Sequence, residues 1–366
     1  MTLNDLLARV REYLPQDRLG LIEGAYLFAE TCHRGQTRLS GDPYIVHPLD
    51  AAVTLAALQM DADTLVAALL HDVQEDCGVP NSELAKRFGR EVARLVDGVT
   101  KLQKITWRAP TDGSFDHAAQ AENLRKMFLA MAEDVRVVVI KLSDRLHNMR
   151  TLEFLPEEKR LRTARETMEI YGPLARRLGI WQIARELEDL AFKHLEPERY
   201  QEISQLLTAK RVSRERYIAQ VEKIVSDELT KAGVTAEVKG RAKHIYSIYQ
   251  KIEKYAAQGK TFHEIYDLMA LRVLVDSVAD CYNALGAIHG LWHPLPGQFD
   301  DYIANPKESL YQSLHTTVLC LGARPLEVQI RTHEMHRLAE YGVAAHWRYK
   351  EGGKREKQYE ERLSWL

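Results

Sequence analysis

Apolar positions recur at intervals of three and four along roughly the first 230 residues, with few β-branched alternations among them. The pattern predicts helices near 3–14, 18–33, 46–59, 61–72, 81–97, 120–131, 134–149, 157–177, 180–194 and 197–231. Gly41–Pro43, Pro48, Gly78–Pro80, Pro110–Gly113 and Pro156 punctuate them, and Thr106–His117, where periodicity is weakest, is expected to be a mobile loop. After residue 234 the texture changes. The segments VTAEVKGR, ALRVLV, SLHTTVLCLG and LEVQIR alternate or are rich in β-branched residues, with helical KHIYSIYQKIEKYAA and DCYNALGAIHGLW between them. The expected fold is therefore multidomain: an all-α domain over 1–195, a connecting helical region over 196–231, an α+β domain over 232–350, and a linker or tail over 351–366 marked by Gly and a charge run.

Composition adds little to this division. At 366 residues, with 45% apolar and 28% charged residues, the chain is long enough for two domains with sizeable cores. Its net charge of −2 says little about partners. Cys32, Cys77, Cys281 and Cys320 are widely separated and lack CxxC spacing, which argues against a disulfide framework or a cysteine-rich zinc module and fits a reducing cytoplasm. The N-terminus, MTLNDLLARVREYL, carries charges too early for a signal peptide, and no apolar run approaches the roughly 18 residues that span a bilayer. A soluble intracellular protein is expected.

Two groups of residues carry candidate chemistry. His71-Asp72 follows the apolar run of LVAALLHDVQED, with His47 upstream and Asp144 downstream. On a helix continuing through Asp76, His71 and Glu75 lie one turn apart, as do Asp72 and Asp76; beyond Asp144, Asn148 and Thr151 follow on the same face. A single buried His hydrogen-bonded to a carboxylate is ordinary. Two His and two Asp on otherwise apolar helices are costly to bury without a metal or partners. The mixed N/O set suits Mn(II), Fe(II) or Zn(II) better than Ca(II) or Mg(II), and makes hydrolysis at a phosphate the first hypothesis.

The second group lies in the α+β half. Lys243, Ser247 and Lys251 share one face of a predicted helix, with Arg241 just before it, a cationic rail that suits a triphosphate by charge and by the N–H groups of the helix start. In LEVQIR, Glu327, Gln329 and Arg331 point away from Leu326, Val328 and Ile330; Arg272 interrupts ALRVLV, and Ser313 and His315 share a face. Asp267 and Glu327 are candidate Mg(II) ligands or a metal-plus-base pair, and Tyr311 a candidate for stacking on a base.

Taken together, GDPYIVHPL, ALLHDVQED, AENLRKMFLAMAEDVRVVVIKLSDRLHNMRTL, RAKHIYSIYQK, YDLMALRVLV, DDYIANPK, YQSLHTTV, LEVQIRTHEMH and AEYGVAAHWRYKEG closely resemble the catalytic half of RelA/SpoT-type (Rel) stringent-response proteins, over roughly residues 20–352. The resemblance implies an HD-superfamily (p)ppGpp hydrolase domain followed by a nucleotidyltransferase-like (p)ppGpp synthetase domain. It implies His47, His71, Asp72 and Asp144 as Mn2+ ligands, Glu75 and Asp76 as the acidic pair working on water, and Arg38, Asn148 and Thr151 as the nucleotide pocket of the hydrolase. In the synthetase it implies Mg2+, with Arg241, Lys243, Ser247 and Lys251 at the ATP phosphates and Asp267 and Glu327 as metal and catalytic carboxylates. Tyr311 and His315 then fall at the GDP/GTP site, with Lys307 and Gln329 nearby, and Arg272 is counted among the nucleotide-binding residues of the synthetase.

Departures from the family's pattern are Leu39 in place of a common lysine, Ala242 in place of a proline, Glu308-Ser309-Leu310 before Tyr311, and the acidic Gln298–Asp301. The resemblance implies ATP, GDP or GTP, ppGpp and pppGpp as ligands, with ribosome and uncharged tRNA reached only through C-terminal domains absent from this chain. A hydrolase with an impaired synthetase domain and a non-catalytic ribosome-associated regulator are the competing readings.

Overall fold

The structure, a computed structural model, describes residues 2–103, 125, 129, 133–209, 211–242, 244–257, 269–307 and 311–344. The apolar stripes of the first half fold as α1 (Leu3–Val10), α2 (Gln16–Cys32), α3 (Val46–Ala57), α4 (Ala62–Leu70), α5 (Val73–Asp76), α6 (Asn81–Phe88), α7 (Arg90–Gln103), α8 (Val135–Arg150), α9 (Glu157–Glu166) and α10 (Gly172–Arg177). Side-chain caps start several of them. Thr2 forms a capping box with Asp5, Asp61 caps α4 through Thr64, and Asp134 caps α8 through the Arg136 N–H. Helix α4 is apolar nearly all round because it is central: it packs against α2, α3, α7 and α8, and Leu65, Val66 and Leu70 are fully buried.

Several expected helices are divided. The 81–97 helix is two, separated at Gly89, whose φ of +97° a side chain would resist. The run Leu65–Asp76 is not one helix either. The Ala68 carbonyl, which a continuous helix would pair with the Asp72 N–H, instead contacts His71 Nδ1 at 2.8 Å, and α4 gives way to the short α5. Asp76 N still bonds Asp72 O at 2.8 Å, so the one-turn relation of those two residues survives. Between α9 and α10, Thr167–Tyr171 forms a π turn, which places one extra residue in an otherwise continuous helix. The 120–131 helix lies outside the described residues apart from Arg125 and Leu129, and the Thr106–His117 loop lies outside them entirely.

The described residues form two compact units, one within Met1–Ala175 and the other within Arg176–Gly342. The second begins with α11 (Trp181–Leu195), α12 (Pro197–Ala209) and α13 (Arg211–Lys231). It continues with β1 (Ala236–Ala242), α14 (Ile245–Ala256), β2 (Met269–Val275), α15 (Val278–Leu291), β3 (Pro294–Asp301), β4 (Leu314–Cys320), β5 (Arg324–Thr332) and α16 (His333–Tyr341). The five strands run in the order β1-β2-β5-β4-β3, with only β2 and β5 parallel. Leu326, Val328 and Ile330 join Tyr217, Val221, Val225 and Leu229 of α13 and Cys281, Ala284 and Ile288 of α15 in the core. Residues 196–231, a connecting region in the sequence pattern, thus contribute to this core through α13. The fold class is as expected, an all-α unit followed by an α+β unit. No helix among the described residues is long and apolar enough to cross a membrane.

Candidate functional sites

The junction of α4 and α5, the start of α3 and the middle of α8 converge on one point. His47 Nε2 lies 3.2 Å from Asp144 Oδ1 and 3.5 Å from Asp72 Oδ2; His71 Nε2 lies 3.2 Å from Asp72 Oδ2 and 3.9 Å from Asp144 Oδ1. His47, His71 and Asp144 offer donor atoms all within 4.8 Å of one another, and all four residues are buried. The outer nitrogens are engaged. His71 Nδ1 donates to the Ala68 carbonyl, and His47 Nδ1 lies 2.8 Å from His147 Nδ1, an arrangement that turns both Nε2 atoms toward the carboxylates. His71 Nε2 is buried without a hydrogen-bond partner. Two imidazoles, two carboxylates and a buried ring nitrogen without a hydrogen-bond partner fit a divalent cation, which His47, His71, Asp72 and Asp144 would hold.

Charge tells the same story. Burial alone would lower the His71 pKa, but Asp72 and Asp144 outweigh it and raise the imidazole to about 9. Burial opposes ionisation of Asp144, yet Lys141 and the two imidazoles hold its pKa well below the usual range. Lys141 Nζ donates to Asp144 Oδ2 at 2.5 Å, and Asn148 Nδ2 to Asp144 Oδ1 at 2.6 Å. His47 is instead lowered, burial being the largest cause, and His147 is lowered by burial to about 3. The cluster attracts positive charge to one point, the behaviour of carboxylates arranged around a cation.

Beside this cluster lies a cavity of about 450 Å³ lined by Arg38, Leu39, Asp144, Asn148, Thr151 and Phe154 among others. Arg38 Nη2 donates to Asn148 Oδ1 at 2.7 Å, so the chain Arg38–Asn148–Asp144 runs from pocket wall to metal cluster. Leu39, 72% exposed, puts an apolar side chain on this wall. Arg145 also lines the cavity, held by Glu166 Oε2 at 3.3 Å and lying 4.1 Å from the Tyr171 ring. Glu75 and Asp76 sit on the exposed side of α5. Asp76 is tied to the cluster through Tyr44, whose hydroxyl lies 2.9 Å from Asp72 Oδ2 and 2.8 Å from Asp76 Oδ2; Glu75 has no such tie among the described residues.

On the sheet, register brings the second group together. His315 pairs with Gln329, Gln329 with Arg272, Glu327 with Ala270, and Ala270 with Arg241, all facing away from the apolar core. Arg241 Nη1 donates to Gln329 Oε1 at 3.2 Å, and Gln329 Nε2 to Glu327 Oε1 at 2.6 Å. The Tyr311 hydroxyl lies 2.8 Å from His315 Nε2, and Lys307 Nζ lies 5.7 Å from the Tyr311 ring centroid. Burial lowers His315 to about 4 against the pull of Glu327, so its neutral ring accepts from Tyr311. Arg241 and Arg272 line a cavity of about 420 Å³; Ser247 and Lys251 do not line it. Lys243, Asp267 and residues 308–310 lie outside the described residues.

Two of the N–H groups opening α14 are engaged by Asp189 of α11: Tyr246 N donates to Oδ1 at 2.8 Å and Ile245 N to Oδ2 at 3.4 Å. Of the cations lining this cavity, Arg241 and Arg272 were expected from the sequence, whereas Arg185 and its carboxylate partner Glu340 were not. Arg185, Arg272 and Arg331 converge on the single carboxylate of Glu340, with Arg331 only 1% exposed. Spacing around Asp144 could have disclosed Lys141 and His147, three residues to either side on α8. Nothing in the local sequence couples Arg185 to Glu340.

These features define a class, a buried His/Asp metal-type site in a helical unit followed by an α+β unit with a charged sheet face. Residues 25–181 match the HD domain, and residues 240–354 match the region found in RelA / SpoT proteins. The chain belongs to the RelA/SpoT family. It is 55% identical over 330 residues to the GTP pyrophosphokinase of Streptomyces coelicolor, covering 90% of this chain and 38% of that relative. It is 51% identical over 349 residues to the bifunctional (p)ppGpp synthase/hydrolase RelA of Mycobacterium tuberculosis, covering 95% and 46%. Among solved structures, small alarmone synthetase 1 from Bacillus subtilis bound to its product pppGpp matches with a TM-score of 0.31 and 23% identity, over 42% of this chain and 88% of that one. The chain spans less than half the length of these two curated relatives.

Proposed function

We propose that this chain is a bifunctional enzyme of the stringent response, acting in the cytoplasm. The helical unit hydrolyses the 3′-pyrophosphate of ppGpp or pppGpp to GDP or GTP and pyrophosphate, with Mn2+. The sheet unit makes (p)ppGpp by moving pyrophosphate from ATP to the 3′-hydroxyl of GDP or GTP, with Mg2+. The observation that carries the reading is the convergence of His47, His71, Asp72 and Asp144, with one imidazole nitrogen orphaned, beside a cavity lined by Arg38, Asn148 and Thr151.

A divalent cation on that donor set supplies Lewis acidity toward a phosphoryl oxygen and toward water. The chain's own groups do the rest. Arg38, Asn148 and Thr151 hold the nucleotide, Lys141 and Asn148 fix the Asp144 carboxylate, and Glu75 and Asp76 accept the proton of the attacking water. In the second unit Arg241 and Arg272, with Lys243, Ser247 and Lys251, bind the ATP phosphates. Tyr311 stacks on the guanine with His315 and Lys307 beside it, and Asp267 holds Mg2+. Glu327, oriented by Gln329, takes the proton of the 3′-hydroxyl as its oxygen attacks the β-phosphorus of ATP, releasing AMP.

The test is to incubate this chain separately with ppGpp and with ATP plus GDP, varying Mn2+ and Mg2+ independently. Pyrophosphate from the first and AMP with ppGpp from the second are the expected products. Hydrolysis without synthesis would leave a hydrolase with an idle sheet unit, and neither product would leave a non-catalytic protein.

A further inference from the structure

Tyr44 stands three residues before His47, and its hydroxyl lies between two carboxylates, 2.9 Å from Asp72 Oδ2 and 2.8 Å from Asp76 Oδ2. A phenol has one proton and donates it to one acceptor at a time. Its two acceptors differ. Asp72 is buried against both imidazoles of the metal cluster, whereas Asp76 is exposed, and the phenol is its only side-chain hydrogen-bond donor among the described residues.

The ring that carries this hydroxyl is held in place. It stacks on the buried His33 with centroids 4.5 Å apart, the Arg38 guanidinium lies 5.7 Å from its centroid, and its backbone N–H bonds the Gln36 carbonyl at 3.1 Å. The hydroxyl is therefore presented by a fixed ring, while the Asp76 carboxylate, on the exposed last residue of the four-residue α5, has no comparable packing.

We propose that Tyr44 is a positioning residue for hydrolysis, fixing the orientation in which the Asp76 carboxylate accepts a proton. Asp72 Oδ2 already faces the Nε2 atoms of His47 and His71 at 3.5 and 3.2 Å, and would be further engaged by a cation held there, so the phenol proton turns to Asp76 Oδ2. The second Asp76 oxygen is then left to accept from water in one defined direction rather than rotating in solvent. This rests on the hydrolase reading above and adds a residue to it that neither its spacing from His47 nor the acidic pair disclosed.

Tyr44→Phe deletes the hydroxyl and keeps the ring against His33. Mn2+ affinity by direct titration, and kcat and KM for ppGpp hydrolysis, are measured on wild type, Tyr44→Phe, Asp76→Asn and the double variant. For Tyr44→Phe, kcat should fall about 10- to 100-fold, the range found when a residue supporting a metal site is lost, with Mn2+ affinity and KM within about threefold of wild type. The double variant should be within about twofold of Asp76→Asn alone, because the hydroxyl acts through that carboxylate. An unchanged kcat overturns the proposal. So does a Mn2+ affinity that falls in step with kcat, which would make Tyr44 a support for Asp72 only, and so does a double variant in which the two losses multiply. A wild type that binds Mn2+ yet leaves ppGpp intact would remove the hydrolase reading and this proposal with it.

Discussion

A buried imidazole nitrogen without a partner is uncommon, and His71 Nε2 gains its meaning from what surrounds it. Its other nitrogen is spent on a backbone carbonyl, so the ring cannot turn away without losing that bond. Roles divide at the same scale. Glu75→Gln should lower the hydrolysis rate by roughly 10²–10⁴ with Mn2+ still bound, since shape is kept and proton-accepting capacity is lost; an unchanged rate would assign the water to another group. In the sheet unit, Glu327→Gln should chiefly reduce turnover. Tyr311→Ala should weaken guanine-nucleotide binding by roughly 1–3 kcal/mol, as other lost base–aromatic contacts do. Isothermal titration beside steady-state rates separates the two, and equal affinity losses in both variants would contradict the division. The residues of the candidate metal site were legible because each breaks an apolar helix pattern. Tyr44, Arg185 and Glu340 were not, because each acts on a partner distant in the chain or on another element, with no local pattern to mark it.

Among the elements, caps and breaks decide where side chains arrive. Asp134 opens α8, accepting from the Arg136 N–H at 3.0 Å and pairing with Arg94 at 2.6 Å, and α8 carries Asp144. Burial would raise the Asp134 pKa, but the hydrogen bonds and charge of Arg136 more than offset it and hold the carboxyl below its ordinary value. With the folded pKa depressed, its stabilisation is complete above the unfolded value of about 3.9 and fades as pH falls through the folded one. Asp134→Ala should therefore reduce the unfolding free energy by about 1–2 kcal/mol at neutral pH. Urea unfolding should show the gap to wild type narrowing below about pH 4, and a gap independent of pH would sink the argument. Four of the five strands were visible in the sequence as alternation or β-branching. Strand β3 was not, because Pro294, Pro296 and Gly297 suppress that signal; proline is tolerated there because β3 is an edge strand, and the register shifts between Pro294 and Phe299. The break between α4 and α5 was equally hidden, since it depends on the bond His71 makes with Ala68.

For the whole molecule, each unit has its own candidate site, and each site draws its described residues from one unit. Asp144→Ala should thus remove bound Mn2+ and (p)ppGpp hydrolysis while synthesis stays measurable. Metal analysis and both assays on one preparation would check it, and retained Mn2+ with near-normal hydrolysis would take Asp144 out of the site. The π turn at Thr167–Tyr171 has a consequence of a different kind. Its wider winding lets Glu166 and Tyr171, five residues apart, both reach Arg145 on the wall of the 450 Å³ cavity. In an α-helix a five-residue step leaves side chains about 140° apart, because each residue turns the chain by about 100°. Winding this stretch as α-helix without changing its length would therefore swing Glu166 and Tyr171 apart and leave Arg145 with only one of its two neighbours, so it is the extra residue of the π turn that keeps both on one face.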